Sequence, residues 1–110
     1  MCSSRERKVF LLIYIGKYEE IVPNKGYESM LEHLEKGSYP NQKKIVHYLR
    51  SGNVDMVSAE IPKDCFTGER IPGEKLGMND GEYVWWNTLA HYVEKYNLRL
   101  PKEFEEHILK

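Results

Sequence analysis

The side chains best equipped for chemistry in this chain are Cys65, the histidines His33, His47, His91 and His107, and several paired carboxylates. A metal site on one helix requires two ligands three or four positions apart, and no two of the histidines meet that spacing. Cys65 has no cysteine near it, so the paired thiolates that usually nucleate a zinc site are missing. A nucleophilic arrangement of Cys65 with a histidine and an aspartate would be spatial rather than sequential; the sequence leaves it open and offers no local support. The stretch "TGERIPG" lacks the G-x-x-x-x-G-K-[ST] spacing whose backbone amides cradle phosphate, and reads as turn punctuation. The expectation is a protein without a catalytic centre, a metal or a cofactor.

The carboxylates point elsewhere. Glu19–Glu20 and Glu105–Glu106 are adjacent pairs, which usually mean solvated charge. Glu28, Glu32 and Glu35 fall at i, i+4 and i+7, so on a helix they would stack into an acidic ridge opposite an apolar stripe. Like charges at that spacing cost roughly a few tenths of a kcal/mol per pair, a cost that a basic partner relieves. Glu19, Glu20, Glu28, Glu32 and Glu35 are therefore candidate partner-facing residues, set against the plainer reading of a wet helix face. The formal net charge of -1 supplies no global field for gathering polyanions, so direct nucleic-acid binding is not expected.

These residues need a scaffold, and 110 residues with 41% apolar and 30% charged side chains suffice for one core. Residues 1–8 are expected to form a flexible tail and 9–110 a single domain. Cys2 and Cys65 are too few and too far apart for a disulfide framework, which fits a reducing cytoplasm. The apolar run from Val9 is far shorter than the roughly 20 residues of a membrane helix, and no cleavage site follows its basic flank. Neither a membrane association nor a secretory leader is expected.

The spacing predicts an α+β fold, with about four strands in a mainly antiparallel sheet and about four packing helices. Strands are expected over 9–15, 54–61, 75–79 and 82–86, and helices over 27–36, 41–51, 88–97 and 101–109. Residues 9–15 are apolar without alternation, the pattern of a central strand buried on both faces. Tyr27, Met30, Leu31 and Leu34 mark the first helix, and Leu89, Tyr92, Val93 and Tyr96 the third. Asn41, and Asn87 or Thr88, are candidate helix caps. Asp80–Gly81 predicts a hairpin with a type I′ turn. The expected core is Phe10, Leu12, Ile13, Leu31, Leu34, Ile45, Leu49, Val57, Leu89, Val93, Tyr96 and Phe104.

Two adjacent tryptophans on a strand point to opposite faces, so one core cannot readily receive both. Trp85 shares its face with Tyr83 and is expected inside. Trp86 is expected to be the more exposed, and an exposed indole suggests contact area for a partner.

The stretch "DGEYVWWNTLAHYVEKYNLRLPKEF", Asp80 to Phe104, resembles small bacterial immunity proteins of polymorphic toxin and contact-dependent growth-inhibition loci. Their pattern runs D-G-x-Y-x-W-x-x-x-L-x-Y-Y-V-x-x-Y followed by L-P and an acidic-aromatic segment. Trp85, Leu89, Tyr92, Val93, Tyr96, Leu100 and Pro101 match it, while His91 stands in place of an aromatic and Trp86 in place of a smaller residue or proline. The similarity extends upstream through "FTGERIPGE" and covers residues 41–108. It implies a non-catalytic protein that neutralises a cognate toxin domain by covering its active site, and leaves the class of toxin open. The acidic ridge, suited to compete for the basic cleft that holds a phosphate backbone, makes a cytoplasmic nuclease, bound one-to-one, the expected toxin. The alternatives are an interaction or adaptor domain unrelated to toxin immunity, and a small enzyme with an unrecognised site.

Overall fold

The computed structural model describes residues 12–110. Four strands, β1 (Ile13–Tyr14), β2 (Asn53–Ser58), β3 (Lys75–Asn79) and β4 (Tyr83–Trp86), form one sheet in the order β1-β4-β3-β2. β2 and β4 run antiparallel to β3, whereas β1 joins β4 in parallel through Ile13–Tyr83 and Tyr14–Val84. The sheet is thus mixed. Three helices accompany it, α1 (Gln42–Arg50), α2 (Thr88–Tyr96) and α3 (Lys102–Ile108). No helix among the described residues is long and apolar enough to cross a membrane.

The strand expected over 9–15 is a two-residue edge strand among the described residues, not a central one; 9–11, with Phe10, and the tail 1–8 lie outside them. Leu12 and Ile13 are exposed accordingly, and among the described residues of the run Ile15 enters the core. Gly16 at φ 102° then turns the chain, against the side chain of Leu89.

The helix expected over 27–36 is instead a 3-10 turn, Met30–His33, capped by Ser29. Leu34 leaves it extended and bridges Leu98, while the Glu35 N–H donates to Asn97 and the Arg99 N–H to His33. This long-range backbone pairing displaces a short helix whose nucleation is costly and whose glutamates would repel one another. The change of geometry buries Met30 completely but leaves Leu31, expected in the core, exposed.

The later elements fall within three residues of expectation, but their ends use different chemistry. Asn41 sits in the left-handed region and caps nothing with its side chain; Gln42 Oε1 accepts from the Tyr39 N–H, and its Nε2 donates to the Val93 carbonyl and to Asn97 Oδ1. Asn87 likewise gives α2 no side-chain cap. Its Oδ1 accepts from Leu76 N–H and its Nδ2 donates to the Glu74 carbonyl, fastening the start of β3 to the start of α2. The hairpin between β3 and β4 forms, yet of its tip residues only Gly81 has positive φ, which excludes the type I′ turn. Asp80 Oδ1 accepts from both Glu82 N–H and Tyr83 N–H and closes the tip.

All three helices serve one side of the sheet. Trp85 is 2% exposed, donates its indole N–H to the Leu49 carbonyl at 2.9 Å, and lies 5.6 Å from the Phe104 ring between centroids. Ile45, Leu49, Leu89, Val93, Leu98 and Phe104 complete this interior, while Leu34 and Tyr96 are partly buried at its margin. Val57, expected inside, is 60% exposed because β2 lies at the sheet edge, beyond the helix layer. Glu105, expected to be solvated, is buried: it takes two hydrogen bonds from the Arg99 guanidinium and one from Leu100 N–H.

Candidate binding surface

The pleat decides what the other side of the sheet offers. Tyr83 and Trp85 both meet Phe104, so Val84 and Trp86 point away from the helices. Opposed residues share a face, which adds Tyr14 beside Val84, Gly77 and Met56 beside Trp86, and Asn79. No helix of the described chain covers this face. Tyr14 and Met56 are exposed, and Trp86 is partly exposed, more so than Trp85 as the alternation requires.

Lys75 lies over the Trp86 ring at 4.5 Å and pairs with Glu60 at 2.6 Å, while Lys17 lies over the Tyr14 ring at 5.0 Å. Each aromatic of the open face is thus held by a cation, which orders a flat side chain that would otherwise rotate. Gly77 carries no side chain between Trp86 and Met56, and a Cβ there would stand 3.3 Å from Asp55 and Met56. The result is a shallow floor flanked by an indole and a thioether. At the end of β4 the face runs into a cleft of about 620 Å³ whose walls include Ile15, Ile21, Leu89, Tyr92 and Trp86.

The expected acidic ridge does not form, since Glu28 and Glu35 flank the 3-10 turn rather than sharing a helix face. Glu28 pairs with His33, and Glu35 joins Arg99 at 3.4 Å. Glu20 is structural: it accepts from the Ser29 hydroxyl and, at 2.7 Å, from Met30 N–H. Burial works against its charge, but these bonds hold its carboxyl below the ordinary range. Glu19 accepts from Asn24 N–H at 3.4 Å. Glu32 alone of the five is exposed with no partner among the described residues. The structure therefore does not bring the acidic residues and Trp86 together as one patch.

What the sequence reading missed is a pair of aspartate hubs on the helix side. Asp64, 2% exposed, accepts from His91 at 2.7 Å, Tyr96 at 2.8 Å, Phe66 N–H at 2.8 Å and Thr67 N–H at 3.2 Å. Burial raises its pKa, yet these donors outweigh it and hold the carboxyl at about 2. Asp80 repeats the scheme with Tyr48 and His107. Two of the histidines considered as ligands are therefore tied to carboxylates, and a third, His33, pairs with Glu28. A detectable signal existed: an aspartate opening a tight turn, D-x-x-T at Asp64, commonly accepts from the amides two and three residues on.

Cys65 is partly buried beside Asp64, and its backbone N–H donates to Tyr92 Oη at 2.8 Å. Burial, together with the nearby Asp64 charge, pushes its thiol pKa up despite the bond with Tyr92, which disfavours the nucleophilic thiolate. Among the described residues no group of three or more His, Cys, Asp or Glu side chains could hold a metal ion, and every buried side-chain polar atom has a partner. The arrangement suits contact by shape and stacking on the open face. Comparisons with protein-family models, curated proteins and solved structures find no match.

Proposed function

We propose that this protein is a stoichiometric binder that neutralises a cognate bacterial toxin domain, a nuclease acting in the cytoplasm, by covering its active site. The observation that carries the reading is the sheet face that no helix among the described residues covers, with Trp86 at its centre. An inhibitor acting by occupation needs a rigid scaffold and an exposed anchor, and tryptophan is over-represented among the residues that dominate interface energies. The residues of the immunity-protein resemblance support it in a complementary way: Trp85, Leu89, Tyr92, Val93 and Leu100 are buried and build the scaffold, which leaves the surface free to vary with the partner.

The nuclease class rests on charge. A nuclease cleft must be basic to hold a phosphate backbone, and the segment from Glu19 to Glu35 supplies carboxylates that compete for it. With Glu20, Glu28 and Glu35 engaged internally, Glu32 and Glu19 are the residues left for steering a basic partner.

The test is co-expression with the toxin domain encoded beside this gene, followed by binding kinetics. Growth protection and a one-to-one complex are expected; poisoned cells and no complex would remove the reading. Trp86→Ala should speed dissociation, and Glu32→Lys should slow association more at low salt than at high salt. Protection with both rates unchanged would place the interface elsewhere on the molecule.

A further inference from the structure

β2 is built like an interior strand but stands at an edge. Among the described residues it pairs with β3 alone, and Val54, Met56 and Val57 are each more than half exposed, as is Ile61 just beyond it. These side chains occupy both faces: Val54 and Val57 lie opposite Met78 and Leu76 on the helix side, while Met56 lies opposite Gly77 on the open side. Apolar residues on both faces belong to strands with neighbours on both sides, and soluble proteins ordinarily guard an edge with lysine, proline or an irregularity. The register shift between Val54 and Met56 guards the first half of β2, and Asp55 there is hydrogen-bonded to Asn79 at 2.9 Å. The second half, Met56–Ser58, has no charge, no proline and no bulge.

We propose that this half-strand pairs antiparallel with the same half-strand of a second copy, joining two sheets edge to edge about a two-fold axis at Val57. The choice of a second copy follows from self-complementarity. Residues opposed across an antiparallel pair share a face, so a two-fold axis must pass through a residue rather than between two. Centred on Val57, the pairing sets Val57 against its own copy on the helix side and Met56 against Ser58 on the open side. Asp55, the sole carboxylate of β2, lies in the irregularity outside this pairing, and no like charges oppose within it. Isologous two-fold contacts of this kind close on themselves and do not propagate into fibres. The pairing is short, so the dimer is a weak one in reversible exchange with monomer. The open faces of both copies stay on one side, and Trp86, two strands away from β2, is left free for its own partner.

Sedimentation equilibrium across a wide concentration series tests this. Reversible monomer–dimer behaviour is expected. Val57→Lys, which sets two ammonium groups face to face, should weaken the dimer by at least about tenfold, whereas Leu31→Lys, at an exposed apolar residue far from β2, should leave it unchanged. A shared denaturation midpoint with the wild type keeps misfolding apart from dissociation. Val57→Cys, with Cys2 and Cys65 changed to serine, should form an intermolecular disulfide under mild oxidation faster than Ser58→Cys in the same background. A monomer at every concentration, or a dimer indifferent to Val57→Lys, overturns the proposal. If the wild type is monomeric alone and Val57→Lys instead abolishes binding to the toxin domain, the edge belongs to a foreign strand.

Discussion

On the helix side of the sheet Trp85 meets Phe104, Tyr48 and the Leu49 carbonyl; one residue later, Trp86 meets Lys75 and walls an open cleft, partly exposed. The same residue type at adjacent positions is spent on cohesion in one case and left for contact in the other. Glycine shows the contrast too. A Cβ on Gly52 would lie 2.8 Å from the Trp85 ring, so the backbone itself packs against that indole, whereas Gly77 keeps a surface flat. Polar groups divide likewise: the helix side holds Asp64 and Asp80 in multiple hydrogen bonds, while Asp55 on the open side is exposed and has, among the described residues, the single side-chain partner Asn79. The lesson is that a face is recognised by how completely its polar and aromatic groups are satisfied, not by how apolar it is.

The contrast breaks if the two tryptophans respond alike. Trp85→Ala should cost about 3–5 kcal/mol, read from the shift in denaturant midpoint, because ring burial is lost and a cavity is left. Met30→Ala should follow at about 2–5 kcal/mol, since that side chain is wholly buried under the 3-10 turn. A smaller loss is expected on acidification. The Asp64 pKa is lowered on folding, so protonation favours the unfolded chain; its contribution is complete above pH 3.8 and disappears as pH falls towards 2. A shift of this size corresponds to about 2 kcal/mol, and urea melts across that window on wild type and Asp64→Asn would isolate it by the flattened pH slope of the variant. The least effect should come from the more exposed neighbours of the two buried residues: Trp86→Ala and Leu31→Ala should each change stability by under about 1 kcal/mol. A larger loss at Trp86 would mean that the open face contributes to cohesion after all.

How much of this was legible depended on where the partners lie along the chain. The helix Thr88–Tyr96 and the β3–β4 hairpin are set by local signals, a 3.6-residue apolar period and a glycine-bearing turn, and both could be read directly. Trp86 could be placed for the same reason, because strand alternation needs no tertiary knowledge. Residues 27–36 could not, since their fate is decided by Asn97, Leu98 and Arg99, whose backbone competes for the same hydrogen bonds. The acidic ridge failed with that helix. β1 was misread because an unbroken apolar run says that a strand is greasy without saying how many neighbours it has. The Asp64–His91 contact joins residues 27 positions apart, and only the turn at Asp64 announced half of it.

The bridge between Leu34 and Leu98 bears on the order in which the molecule assembles. Glu35 and Arg99, which flank it, are separated by 64 positions, and β1 likewise reaches across the chain to β4. Closing such loops costs chain entropy before any contact repays it, whereas the β3–β4 hairpin and the α2 helix close locally. The segment from Ile13 to Glu35 therefore docks after the later elements have formed, onto a surface they have already built. During synthesis it leaves the ribosome before those elements and waits for them, with Met30 uncovered until Leu98 and Arg99 arrive.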